Sequence, residues 1–155
     1  MILNEIIATS IEEVGVSWFD FYSLGHITFG IGVFLFFSLL YTIPKMHDND
    51  AIIKLWLVFI ITVGVLIAWE LLENIVFIEI GIKFEDRMDS PQNITTDLIL
   101  GSIGAIGSWI FAYEIVEKDK NIWGYYIFGI IAFAIWLIFF FIGRYITYWY
   151  AGLYA

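Results

Sequence analysis

Four apolar runs, near 21–41, 56–80, 96–116 and 123–145, constrain this chain more than any other feature of it. An α-helix rises about 1.5 Å per residue, so roughly 20 residues cross the ~30 Å of a bilayer's hydrocarbon. Each run has that length. Because hydrocarbon offers no water to satisfy backbone amides, such a run spans as a helix. Hydrophobic residues make up 61% of the 155, against roughly 45–50% in soluble domains. The excess sits in the four runs rather than in short alternating segments. The sequence therefore predicts an all-α integral membrane protein, a four-helix transmembrane bundle forming one domain over 1–155.

Residues 1–18 read as an N-terminal amphipathic helix lying at the interface or against the bundle. Ile2, Leu3, Ile6, Ile7, Ile11 and Val14 recur at helical spacing, and Glu5, Glu12 and Glu13 lie largely opposite. Met1 to Glu5 lacks the basic opening of a signal peptide, so the segment is read as part of the mature protein. Pro44 marks a stop just beyond the first span, and Thr95 or Thr96 is the expected cap of the third. Gly25, Gly30 and Gly32 on the first span, and Gly101, Gly104 and Gly107 with Ser102, Ala105 and Ser108 on the third, permit close helix approach. The third is the expected central helix. Tyr145, Tyr148, Trp149, Tyr150 and Tyr154 read as an interfacial aromatic belt. Asn93-Ile94-Thr95 is a glycosylation sequon by pattern, and His47 a solvated loop residue.

Charge and composition exclude several functions. With only 7 Lys and Arg against a net charge of −9, nucleic acid is not an expected partner, and anionic headgroups provide little attraction. The absence of cysteine removes disulfides, thiolate nucleophiles and Cys-ligated metals. Four spans put both termini on one side with the 81–94 loop. Lys45, Lys54, Lys118 and Lys120 lie on the other side, against Lys83, Arg87 and Arg144. The positive-inside rule then favours termini outside, four against three.

Ionisable residues within spans are expensive and mark sites by default. Glu70, Glu73 and Asn74 share one face of the second span, in the half nearer the termini. His26 lies about one turn into the first span from that side, Asp97 opens the third and Arg144 closes the fourth. One shared cavity lined by these six residues is expected, with Asp89 and Asn93 of the preceding polar loop placed to contact a substrate. Glu79 and Glu114 are expected to reach the near and far interfaces. His26, Glu70, Glu73 and Asp97 form an acceptable ligand set for a divalent metal. Without a metal, His26 or Glu70 serves as general base, with Asp97 and Glu73 as further catalytic carboxylates, and Asn74 and Arg144 bind substrate. A purely structural alternative pairs Arg144 with Glu73 or Asp97 and leaves His26 hydrogen-bonded to a neighbour.

His26 with its following glycines, Trp69-Glu70 with Glu73, and the stretch from Asp89 through Asn93 and Asp97 to Gly101, Gly104 and Gly107 resemble VanZ-like and related small prokaryotic inner-membrane proteins. The resemblance covers about the middle two-thirds of the chain. The arginine often found just before the aspartate in the VanZ-like pattern is missing before Asp97. What the resemblance implies is a helical bundle in a prokaryotic inner membrane, with a polar site near one face and an envelope or lipid-linked role. The leading expectation is a small membrane enzyme that hydrolyses or transfers a group on a lipid or lipid-linked substrate. The alternatives are an oligomeric ion or solute transporter or channel, and a non-catalytic accessory protein. A homo-oligomer fits the transport reading, because four short spans alone would not surround a path. Against a path, the half of the bundle opposite the polar layer reads as almost purely apolar.

Overall fold

Polar residues at the ends of the apolar runs decide where each helix starts and stops. The structure, a computed structural model, describes residues 6–83, 86–119 and 122–150, with the side chains of 117, 119, 147, 148 and 150 set aside. Among the described residues it is helical, with no strand beyond an isolated Ile7–Phe19 bridge. Four helices are long and apolar enough to cross a membrane: α1 (Ser23–Met46), α2 (Leu55–Glu79), α3 (Pro91–Glu114) and α4 (Ile122–Ile146). The chain is a multi-pass membrane protein built as a helical bundle.

α1 begins where the Asp20 carboxylate accepts the Tyr22 and Ser23 backbone N–H groups at 2.8 and 3.0 Å, donors that a helix start leaves unpaired. It continues through Pro44 to Met46 instead of ending at the proline. Pro44 has no N–H to give the Leu40 carbonyl, and Ile52 of the following loop donates to that carbonyl at 3.0 Å. α3 starts earlier than expected. Ser90, not Thr95 or Thr96, is its cap: Ser90 Oγ accepts the Asn93 N–H at 3.1 Å, and Pro91 fills a first-turn position that needs no donor. Thr95 lies inside the helix and donates its hydroxyl to the Pro91 carbonyl. Three π-helical turns widen the bundle's helices: Leu72–Val76 in α2, Ile115–Asp119 after α3, and Phe139–Gly143 in α4.

The central helix is α1 rather than α3, because its glycines clear space on two sides. It packs against each of the other three. A Cβ on Gly30 would collide with the Gly101 carbonyl of α3, whereas Gly25 and Gly32 lie against Phe139 and Phe133 of α4. On α3, Gly104 meets the Ile27 carbonyl, but Gly107 faces open space. Backbone-to-backbone approach of this kind is how helices gain contact in lipid, where apolar burial gives no drive. Phe29, Val33, Leu66 and Trp136 pack in one interior cluster. Phe34, Leu35, Leu55, Val58, Ala105, Ala112 and Tyr125 fill the half of the bundle away from the termini. Phe36, Ile60, Ile103 and Ile130 point outward, as lipid-facing residues do.

The expected interfacial helix over 1–18 does not extend through the segment. Residues 1–5 lie outside the described residues. Beyond Ile6 the chain makes a single 3-10 turn, Ile11–Glu13. The Glu13 carboxylate takes the Thr9 and Ser10 N–H groups at 2.7 and 3.3 Å. Gly15 then takes a left-handed conformation, φ +72°, which ends any helix. The segment folds over the α2–α3 loop instead. Arg87 donates to the Glu12 and Val14 carbonyls at 2.6 and 2.9 Å, and Ser90 Oγ to the Val16 carbonyl at 2.8 Å. Of the C-terminal aromatics, Tyr145 and Trp149 are exposed; Tyr154 lies outside the described residues, as do the side chains of Tyr148 and Tyr150.

Candidate functional site

The Gly30–Gly101 contact draws α1 and α3 together, and one turn nearer the termini it sets His26 beside Asp97. His26 is 7%, Glu70 5% and Asp97 4% exposed. His26 Nδ1 lies 3.4 Å from Glu70 Oε1, and Nε2 lies 3.6 Å from Asp97 Oδ2. The imidazole is thus held between carboxylates of two other helices. Neither Glu70 Oε1 nor Asp97 Oδ1 meets a hydrogen-bond partner among the described residues.

Glu70 is braced from the π turn that follows it. Asn74 Nδ2 donates to the Glu70 carbonyl at 3.0 Å and lies 3.5 Å from Glu70 Oε2. Asn74 Oδ1 in turn accepts from Lys83 Nζ at 2.9 Å and from the Asp89 N–H at 2.6 Å. Lys83 Nζ also pairs with Asp89 Oδ2 at 2.5 Å. A continuous polar string therefore runs from the loop residues Asp89 and Lys83 through Asn74 and Glu70 to His26 and Asp97. Burial pushes the Asp89 carboxyl above its ordinary range, and Lys83 and Asn74 pull against that shift.

Above His26 lies a cavity of about 40 Å³, lined among others by Asp20, Glu73, Lys83, Asp89, Asn93, Asp97 and Arg144. A water needs roughly 10–15 Å³ by this measure, so the space suits two to four waters or a small polar group. A second space of about 20 Å³, also bordered by His26, is walled by Tyr22, Trp69, Trp136, Phe139 and Phe140. Glu73 and Phe140 border both. The Arg144 guanidinium sits 5.8 Å from the Phe140 ring centroid. The site thus has charged and aromatic lining residues, and His26 borders both spaces.

Helical spacing placed most of these residues. His26, Glu70 and Asp97 converge, and His26 and Asp97 line the cavity with Glu73 and Arg144, but Glu70, expected among the lining, is not part of it. Asn74 takes a different place from the one expected, bracing Glu70 instead of lining the cavity. Asp89 and Asn93 line it while fixing the fold around it: Asn93 Nδ2 donates to the Ser17 carbonyl and Asp20 Oδ2 at 3.1 and 3.2 Å. In the folded protein Asn93 is buried and its amide is engaged, so the sequon is not a surface feature. Two residues went unforeseen. Asp20, three residues before Ser23, carried the signal of a helix cap; Lys83, only 6% exposed, looked like any loop lysine.

The opposite half of the bundle is less apolar than expected, and most of its hydroxyls are committed, although the buried Ser108 Oγ has no partner among the described residues. Ser38 Oγ pairs with Tyr125 Oη at 2.8 Å, and Thr42 with Tyr126. Thr62 donates to the Val58 carbonyl at 2.9 Å. Phe34 and Val58 pack there with no exposure. No family model, curated protein or solved structure matches the chain.

Proposed function

We propose that this protein is a small membrane enzyme that hydrolyses, or transfers a group from, a lipid or lipid-linked substrate. The observation that carries the reading is the convergence of His26, Glu70 and Asp97 beside spaces lined by charged and aromatic residues. A headgroup fits the charged lining, and Tyr22, Phe139 and Phe140 lead from it toward the apolar surface of α1 and α4, where a hydrocarbon tail lies in lipid. In hydrolysis a water oxygen attacks the carbonyl or phosphorus centre and its proton passes to His26. The bond to the leaving oxygen breaks, and His26 returns the proton to that oxygen. Glu70 beside Nδ1 holds the ring with Nε2 next to Asp97, which borders the cavity, and Arg144 meets an anionic group.

Structural pairing alone accounts less well for the site, since it leaves two buried carboxylate oxygens without partners. Ion passage accounts for it less well still, because Phe34 and Val58 fill the path beyond. A VanZ-like relationship, supported by the short motifs at His26, Glu70, Glu73 and Asp97, sets the chemistry in a prokaryotic inner membrane, and the basic residues of the loops, four against three, favour both termini outside. The test is turnover by purified protein in liposomes carrying phospholipids and prenyl phosphates, with products read by mass spectrometry. Turnover is expected to fall at least ~100-fold in His26→Gln and to persist in Lys118→Ala, an exposed residue distant from the site. Wild-type turnover by folded His26→Gln would overturn the reading.

A further inference from the structure

We infer that His26, Glu70 and Asp97 bind a divalent transition-metal ion, of the zinc or manganese type. The inference deepens the enzymatic reading and rests on it for the ion's role. The three residues each offer one donor atom, and these atoms lie within 4.8 Å of one another. Zinc bonds of about 2.0–2.2 Å to nitrogen and oxygen put tetrahedral neighbours ~3.4 Å apart. Glu70 Oε1, 3.4 Å from His26 Nδ1, already has that spacing on its nitrogen, whereas Asp97 Oδ2 lies 3.6 Å from the other nitrogen, Nε2. An imidazole lends one nitrogen to an ion, so the carboxylate on the other nitrogen must turn toward the bound one to complete the set.

The unpartnered oxygens point to a ligand independently. Glu70 Oε1 faces His26 Nδ1 from inside the cluster, yet among the described residues no donor satisfies it; Asp97 Oδ1 is likewise buried without a partner, while Oδ2 is the oxygen beside His26. Native structures leave few buried polar atoms unpaired, and at membrane depth the cost of doing so is higher. Asn74 holds Glu70 from behind, as the outer partners of metal ligands do. One imidazole with carboxylates suits zinc or manganese better than magnesium, which takes an all-oxygen shell and keeps several waters. Such an ion makes a bound water acidic enough to attack near neutral pH.

Tag-free protein in detergent micelles, stripped with EDTA, is titrated with Zn²⁺ and separately with Mn²⁺. Retained metal is measured by mass spectrometry after desalting, Mn²⁺ by electron paramagnetic resonance, and Tm alongside. The expected result is one ion per chain and a raised Tm. Binding should weaken at least ~tenfold in Glu70→Gln and in Asp97→Asn and be unchanged in Glu114→Gln, at the far end of α3. If Glu70→Gln fails to fold by circular dichroism, Asp97→Asn and His26→Gln decide. Folded wild type that binds neither ion, binds only Mg²⁺, or binds equally in the variants overturns the inference. Turnover by EDTA-stripped protein also overturns it while leaving the enzymatic reading intact. A bound ion without lipid turnover does the reverse.

Discussion

The Asp20 carboxylate receives the backbone N–H groups of Gly15, Tyr22 and Ser23 and the side-chain amide of Asn93. It therefore caps α1 and ties the N-terminal segment to α3 at once. Asp20→Ala should cost about 2–3 kcal/mol, near the top of the range for a lost cap because the acceptor is charged. Thermal unfolding in detergent reads the loss, and an unmoved midpoint would refute it. Asp89 gives a pH signature. Its folded-state carboxyl is raised by burial, so its contribution to stability is full below the ordinary carboxylate range and is lost as pH rises through the folded value. Asp89→Asn should flatten that component of a Tm-against-pH profile, at the cost of the Lys83 ion pair; an unchanged profile would show that Asp89 does not supply it. At this scale the sequence was legible where a charge stood inside an apolar run, as at His26, Glu70 and Asp97. It was not legible at Lys83, whose burial depends on Asn74 and Asp89 closing around it from two other segments.

Elements were read best where lipid alone dictates them. The four spans follow from length and hydropathy, and only their ends moved. Those ends answer to local hydrogen bonds: Leu40 finding Ile52 lets α1 run through Pro44, and Ser90 with Pro91 starts α3 early. The N-terminal segment misled because its helical spacing of isoleucines is real, whereas its conformation is set by Gly15 and by partners more than 70 residues away. The helix seam gives a direct test. Gly30→Ala and Gly104→Ala should each cost about 1–3 kcal/mol, since the added methyl meets backbone rather than a yielding side chain. Gly107→Ala, with open space around it, should be neutral. Unfolding in mixed micelles measures all three, and equal costs would dismiss the seam.

Across the whole molecule the polar groups lie toward the termini side and the far half is packed shut, a one-sided design that suits chemistry at a membrane face. Liposomes containing the protein should therefore show no ion flux above empty vesicles; a steady conductance would refute the plug at Phe34 and Val58. The chain has no cysteine, so single reporters settle orientation. With termini outside, Met88→Cys should react with an impermeant maleimide on intact cells and Asp50→Cys only after permeabilisation, and the opposite pattern would invert the topology. The π turns carry a consequence for heredity. Each holds one residue more than a regular turn requires, as a one-codon insertion into an ancestral helix would leave it. Losing one codon between Leu72 and Val76 would restore the regular spiral and rotate everything beyond it by about 100°. Lys83 and its loop would be carried out of phase with Glu70, which precedes the turn, so the buried cluster and its loop stay in register only while that extra codon is kept.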